Sequence, residues 1–293
     1  QYADMRIVPV ESISALLEQY YAEKNTITRI RQKSADLRHL VQTALDRSRK
    51  KYDLQLKQLK DTEKRDKYRI YGELLNTYGY SAAPGARSLE ALNYYTNEMI
   101  TIPLDETLTA TENAKKYFDR YGKLKRTYEA LTTLTQETKD TIDHLESILT
   151  ALNIALAEED LVQIREELAE SGYIRRKGGQ KKVKITSRPF HYLSSDGFHI
   201  YVGKNNLQND ALTFKFASGG DWWFHAKGIP GSHVIVKTEG KPLPDRTFEE
   251  AAALAAYYSG ARGSEKAEVD YIEKKHVKKP AGARPGFVVY YTN

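Results

Sequence analysis

The sequence predicts an all-helical region followed by an α+β domain: a long antiparallel coiled-coil arm attached to a compact, basic mixed domain. Three observations carry this. Apolar residues recur every 3.5 positions over long proline-free stretches, the pattern changes to short strand-like runs after about residue 185, and the charge reverses sign between the two regions. Gly and Pro number only 18 and 9 in 293 residues while charged residues reach 29%, which favours long helices over disorder.

From Glu11 to about Tyr78 there is no proline, and Gly72 is the only glycine. Leu37, Val41, Leu45, Ser48, Tyr52, Leu56 and Leu59 follow one another in steps of four or three and line one face of a first helix. A second run is longer. Tyr117, Tyr121, Leu124, Tyr128, Leu131, Thr135, Thr138, Ile142, Leu145, Leu149, Leu152 and Leu156 hold a 3.5-residue period, which imposes a left-handed supercoil. Thr109 or Thr111 is positioned to cap its start. Each helix is expected to span about 60 residues, roughly 90 Å. Between them, 79–106 contains Gly79, Pro84, Gly85 and Ile100-Thr101-Ile102-Pro103, a tip that reverses the chain with a small hairpin. The stripes are similar in length and the tip is short, so pairing within one monomeric chain is favoured over a parallel homodimer.

After the arm, assigned to 11–172, strand-like runs occur at Val183–Thr186, Phe190–Leu193, Phe198–Val202, Leu212–Phe216, Val234–Lys237, Val269–Ile272 and Phe287–Tyr291. One helix interrupts them. Thr247-Phe-Glu-Glu250 reads as its capping box, Ala251-Ala-Ala-Leu-Ala-Ala256 as a small-residue face, and Gly260 as its end.

Residues 1–172 carry 25 Lys and Arg against 28 Asp and Glu, a net of −3, whereas 173–293 carry 20 against 11, a net of +9. A basic compact domain is the electrostatic footprint of a nucleic-acid partner. Cysteine is absent, which excludes disulfides and Cys-based zinc sites and suits a reducing compartment. No run of 18 apolar residues and no basic-then-apolar leader pattern occur, so a cytoplasmic protein without membrane contact is expected. Opening at Gln1 suggests a piece of a longer protein.

The densest chemistry lies between Asp221 and Lys237, which holds both tryptophans and two of the seven histidines around a Gly-Ile-Pro-Gly-Ser turn. Asp221, His225, Ser232 and His233 are expected to share a hydrogen-bonded network that shapes a surface. An enzyme reading makes Asp221, His225 and His233 a metal or acid-base cluster, as in a metal-dependent nuclease. Their separations of four and eight residues suit no standard metal motif, so no metal, cofactor or catalytic residue is assigned. Candidate RNA contacts are the linker cations Arg175, Arg176, Lys177, Lys181 and Lys182, and the donors Lys204, Asn205 and Asn206, whose structural alternative is a capped turn. Lys227, Lys275, Lys278 and Lys279 complete the cationic set. Trp222 and Trp223 should point to opposite faces of a strand, Trp223 into the core and Trp222 outward as a stacking platform.

Taken together, Gly203-Lys-Asn-Asn-Leu-Gln-Asn-Asp210, Asp221-Trp-Trp-Phe-His-Ala226, Pro230-Gly-Ser-His233, Glu250-Ala-Ala-Ala-Leu-Ala-Ala-Tyr-Tyr-Ser259, Val269-Asp-Tyr271 and Lys278-Lys-Pro280 resemble the NFACT-R domain. Tyr71-Gly-Glu-Leu-Leu75, Ile102-Pro-Leu-Asp105 and Glu112-Asn-Ala-Lys-Lys-Tyr-Phe118 resemble the middle coiled coil of bacterial NFACT proteins. The resemblance implies a ribosome-associated quality-control factor. Such a factor binds large ribosomal subunits obstructed by peptidyl-tRNA and recruits alanyl-tRNA for C-terminal tailing without mRNA. The ribosome itself carries out peptidyl transfer, so no catalytic constellation is required. Set against the resemblance, this stretch of sequence is expected to lack the family's N-terminal domain and helix-hairpin-helix region, apart from a remnant at 1–10. The fibronectin-binding label attached to some members leaves a coiled-coil adhesin as a further reading.

Overall fold

The computed structural model describes residues 11–175 and 186–291. The remnant expected at 1–10 and nearly all of the strand expected at Val183–Thr186 lie outside the described residues. Helices α1 (Ile13–Lys33), α2 (Ala35–Asp61) and α3 (Arg65–Tyr78) precede strands β1 (Ser88–Asn93) and β2 (Glu98–Pro103), then α4 (Ala110–Ile154) and α5 (Glu158–Glu170). There follow β3 (Phe190–Leu193), β4 (His199–Val202), α6 (Asn206–Ala211), β5 (Trp222–Ala226), β6 (Val234–Lys237), α7 (Asp245–Tyr257) and β7 (Val269–Glu273). Antiparallel sheets and helices thus make a mixed, α+β chain. It divides into two compact units, Arg47–Ile142 and the remainder, Gln1–Asp46 with Asp143–Asn293.

Within Arg47–Ile142 the chain reverses through the hairpin that 79–106 predicts. Ser88 pairs with Pro103 and Asn93 with Glu98, and alternation buries Leu89, Ala91 and Asn93 on one face. Asn97 closes the turn at φ 57°, a conformation that Asn tolerates better than most residues. α3 and the start of α4 run antiparallel. Arg65 lies 3.9 Å over the Tyr128 ring, Arg120 lies 4.3 Å over Tyr68, and Tyr71 meets Tyr117 edge-on at 5.3 Å. Gly72 makes this approach possible, because a Cβ there would lie 2.8 Å from the Phe118 ring. Leu74, Leu75, Leu89, Ala91, Ile102 and Ala114 form the core beneath.

α4 begins as one of the two alternatives requires. Thr109 Oγ1 accepts from Glu112 N at 3.3 Å, while the Glu112 carboxylate accepts from Thr109 N at 2.8 Å, a reciprocal capping box. The Thr109→Ala variant should lose about 1 kcal/mol of stability in thermal or urea unfolding, and Thr111→Ala much less.

On α4 Leu131, Thr135, Thr138, Ile142, Leu145 and Leu152 of the stripe are buried, whereas Leu149 is only half-buried and Ile148 takes the inward position beside it. Leu156 does not belong to the stripe: the helix ends at Ile154 and Leu156 is exposed. The first helix is also corrected. It is three helices, broken at Ser34 and again by a 3₁₀ turn at Thr62–Lys64. Its inward position after Tyr52 is Gln55, 6% exposed, and not Leu56, 41% exposed. From Tyr52 through Gln55 to Leu59 the steps are three and four, so the helical phase decides the position against the chemistry of the side chain.

The sheet in the other unit has order β3-β4-β6-β5-β7, antiparallel throughout. Ile200, Val202, Phe224, Val234 and Val236 face α7, where Ala251 and Ala255 let the helix lie close, and Ile154 joins this cluster. Trp223, Ile235, Leu212 and Val277 form a second layer on the opposite face. Two expected strands are corrected. Leu212–Phe216 is a π-helical turn, and Phe287–Tyr291 is extended with the single bridge Lys278↔Val289. The capping box expected at Thr247 is absent as well. The helix starts at Asp245 after Pro244, and buried Thr247 donates to Asp196 at 2.7 Å while Glu250 accepts from Ser195 N at 2.9 Å. Both residues hold the β3–β4 turn against α7.

Candidate nucleic-acid interface

The motif 203–210 is a joint. Asn205 caps α6 by accepting from Gln208 N at 3.0 Å, and the side chains around it meet a polar face of α5. Asp160, Gln163 and Glu167, spaced three and four apart, share that face. Lys204 Nζ reaches Asp160 at 3.1 Å, Asn205 donates to Gln163 at 2.8 Å, and Asn206 donates to Glu167 at 2.7 Å and to Ser147 at 2.8 Å. Asp160 also accepts from Leu156 N and Ala157 N at the open end of α5. Of the candidate RNA contacts here, Asn205 and Asn206 are buried and Lys204 is half-buried, and all three have polar partners within the fold.

Glu167 and His144 face each other across this joint, with His144 Nδ1 3.8 Å from the carboxylate. Burial pushes Glu167 up to about 7 and His144 down to about 4, with Arg284 adding to the latter. His144 is therefore neutral at pH 7, while Glu167 changes charge around that pH.

The network expected from Asp221, His225, Ser232 and His233 separates into two. Asp221 opens β5 and accepts from Ser218 N at 2.6 Å, Thr238 N at 3.1 Å and Lys237 Nζ at 2.5 Å. His225 stands four residues along the same strand, roughly 13 Å away at the usual strand rise. Its neighbour there is His233, ring to ring at 5.5 Å. His233 Nδ1 shares a hydrogen bond with Thr213 Oγ1 at 2.8 Å, and its backbone N–H donates to Asn209 Oδ1 at 3.0 Å. Ser232 Oγ donates to Gly203 O at 2.5 Å. Burial lowers His225 to about 4 and holds His233 well below its ordinary value. Among the described residues no group of three or more His, Asp or Glu side chains is placed to hold a metal ion.

Trp222 and Trp223 do point to opposite faces, and Trp223 is wholly buried. Trp222 is half-buried: Phe248 on α7 meets it edge-on at 4.7 Å, and Tyr271 on β7 lies 6.0 Å away. The more open ring on this side is Tyr271, 55% exposed, which the motif Val269-Asp-Tyr271 contains but which is not among the candidate contacts.

The cations do not form one patch. Lys275 sits where β5 begins and pairs with Glu273, whereas Lys227 follows the other end of β5 and lies 3.3 Å from Glu268. Lys278 is exposed beside the Val289 bridge, and Lys279 pairs with Asp210 at 2.6 Å. Exposed ion pairs of this kind are weak and leave the lysines available to an anion. Arg175 is exposed; Arg176, Lys177, Lys181 and Lys182 lie outside the described residues.

An antiparallel sheet backed by one close-packed helix, held to helical segments by a polar joint and edged with lysines, defines a small α+β class of domain. Similarity to known proteins is specific. The family profile "NFACT N-terminal and middle domains" matches residues 1–187, and "NFACT protein RNA binding domain" matches 188–291. The chain belongs to the NFACT family. It is 46% identical over 96% of its length to the Rqc2 homolog RqcH of Streptococcus suis and 38% identical over 96% to that of Bacillus subtilis, in each case over 50% of the relative. The human ribosome quality control complex subunit NEMF is 27% identical over 52% of this chain and 12% of its own. The chain thus spans about half the length of the bacterial relatives. A solved structure of the C-terminal part of the fibronectin/fibrinogen-binding protein from Streptococcus suis superposes with TM-score 0.70 at 41% identity, covering 90% of this chain and 92% of that one. No helix among the described residues is long and apolar enough to cross a membrane.

Proposed function

We propose that this chain is the RNA-binding, ribosome-engaging portion of a ribosome-associated quality-control factor. The observation that carries the reading is similarity to proteins named RqcH along nearly the whole chain, together with the RNA-binding family profile over the sheet domain. In this reading the factor acts in the cytoplasm on large subunits obstructed by peptidyl-tRNA, and recruits alanyl-tRNA for tailing without mRNA. Catalysis stays with the ribosome, and the buried, separately bonded Asp221 and His233 are in keeping with that. The helical segments of 11–172 serve as an antiparallel coiled-coil arm of a monomer. The 3.5-residue period, the hairpin reversal and the antiparallel packing of α3 on α4 support it.

Co-sedimentation of the chain with purified large subunits, with and without peptidyl-tRNA, tests the proposal; no enrichment on obstructed subunits would refute it. RNA affinity of the basic region should fall steeply with salt as condensed counterions are released. Replacing Lys278 and Lys279 with Ala should weaken RNA binding by about 1–3 kcal/mol, and a flat salt titration would count against the assignment. A second reading, binding of fibronectin, is favoured only by the name of the structurally similar Streptococcus suis protein. Saturable binding to immobilised fibronectin without subunit binding would support it instead.

A further inference from the structure

A cleft of about 480 Å³ lies where α1, the start of α2, the end of α4 and the end of α7 meet, all within one compact unit. Its volume falls in the range of small-ligand sites, roughly 300–1,000 Å³. Ile27, Ile30, Leu152 and Ile154 give it an apolar wall, and Arg31, Arg38 and Arg262 line it as well; among the described residues no carboxylate does.

The three arginines are not neutralised by each other's partners. Arg38 is half-buried and held by neutral acceptors alone: Ser34 Oγ at 3.0 Å from Nε, Asn153 Oδ1 at 2.6 Å from Nη1, and the Leu152 carbonyl. These fix the plane of the guanidinium and engage three of its five N–H groups. Desolvation, with Arg31 beside it, pulls Arg38 below the usual arginine range, so the site already resists the positive charge it carries. Arg262 leans over Tyr257, its guanidinium carbon 4.2 Å from the ring, and donates to the Tyr257 hydroxyl at 2.5 Å. Tyr257 remains 48% exposed at the mouth. Arg38 is oriented and partly dehydrated, Arg31 and Arg262 line the same cleft from exposed positions, and half-exposed Tyr257 stands beside an apolar wall. That combination suits a planar base joined to a phosphate.

We propose that this cleft binds a nucleotide, its phosphate between Arg31, Arg38 and Arg262 and its base against Tyr257 and the apolar wall. The proposal deepens the RNA-binding reading and rests on it for the source of the ligand, a nucleotide within a single-stranded RNA segment. A free mononucleotide offers the same chemistry.

The test uses the whole chain, a fluorescein-labelled hexaribonucleotide, adenosine monophosphate and inorganic phosphate. Arg38 also ties α2 to α4, so the variant of choice is Arg31→Gln with Arg262→Gln, both exposed and remote from the core. Its fold is checked by circular dichroism and melting. The double variant should lose at least tenfold in hexanucleotide affinity and reduce the salt slope by about one to two units. Adenosine monophosphate should compete for the cleft at far lower concentration than phosphate, because the base contributes. Unchanged affinity and slope in the double variant, while Lys278→Ala with Lys279→Ala weakens binding, would overturn the cleft and leave the RNA-binding reading standing. If the chain binds no hexanucleotide at all, the RNA reading falls and the mononucleotide arm decides alone. Saturable binding abolished in the arginine variant supports the cleft, and absence of mononucleotide binding overturns it.

Discussion

Lowering the pH from 7 to 4.5 should unfold the unit that contains the sheet, because that unit holds three neutral imidazoles, His144 and His233 buried and His225 half-buried. His144 and His225 are each depressed to about 4 and His233 lies further below its ordinary value, with desolvation the largest cause in every case. A group whose folded pKa is depressed in this way binds its proton more readily in the unfolded chain. Its contribution is present above the unfolded pKa of about 6.5 and is lost as pH falls toward 4. For His144 and His225 the full shift corresponds to roughly 3 kcal/mol each, against a typical domain stability of about 5–15 kcal/mol. Asp270 on β7 works against the shift at His225, while Arg284 adds to that at His144.

Glu167 acts in the opposite sense. Its folded pKa, raised to about 7, makes its contribution complete below about 4.5 and lost as pH rises through 7. Between those values it offsets about one histidine, so two dominate the acid slope. The Glu167→Gln variant keeps a neutral acceptor for Asn206 and removes that offset. It should steepen the decline below pH 6.5 and enlarge the gain of stability between pH 6.5 and 8, which Glu167 otherwise opposes. Melting curves from pH 4.5 to 8 measure both effects. A wild-type melting temperature that stays level between pH 7 and 5 would show that the imidazoles are hydrated or paired in the folded chain.

These buried groups mark the limit of what the sequence discloses. Periodicity locates the helical seam and hairpin because the helix and strand repeats are fixed by backbone geometry. The same logic places the seam position at Leu56 only because Leu is apolar, where the phase of the helix requires Gln55. Leu212–Phe216 alternates apolar and polar residues as a strand does, yet winds into a π turn over Trp223 and Ile235. The donors Lys204, Asn205 and Asn206 look alike in sequence whether they face a phosphate or a helix. What decides is the polar stripe of α5 some 40 residues earlier in the chain. Asp221, His225 and His233 lie close in sequence, but an extended strand carries Asp221 away from the histidines. The arginine cleft is out of reach for a different reason: Arg38 and Arg262 are brought together only by the packing of α2 and α4 against the end of α7. No local pattern records such a meeting.

The second large effect is expected at Asn209, whose carboxamide fastens the β6 entry turn to α6. It is 3% exposed; its Oδ1 accepts from His233 N at 3.0 Å and its Nδ2 donates to Gly231 O at 3.2 Å. Truncation in Asn209→Ala leaves the buried His233 N–H without its partner and removes one of the bonds to half-buried Gly231, which His225 also meets, so a loss of about 1–3 kcal/mol is expected. Gly203 is bound to the same geometry: its N–H donates to His233 O at 3.1 Å, and a Cβ at this position would lie 2.1 Å from Asn209 Oδ1. The Gly203→Ala variant must therefore displace the carboxamide and forfeit the same two hydrogen bonds, so it should be at least as damaging as Asn209→Ala. Because one side chain carries both effects, the two substitutions should not add. In the double variant the clash with Oδ1 is gone, although Asn209 N remains 3.0 Å from the added methyl, and the loss should fall short of the sum by about 1–3 kcal/mol. Urea unfolding of the two single variants and the double variant closes this cycle. Strict additivity, or a cost below about 1 kcal/mol for Asn209→Ala, would show that the glycine and the asparagine do not support each other and that the turn before β6 is held elsewhere.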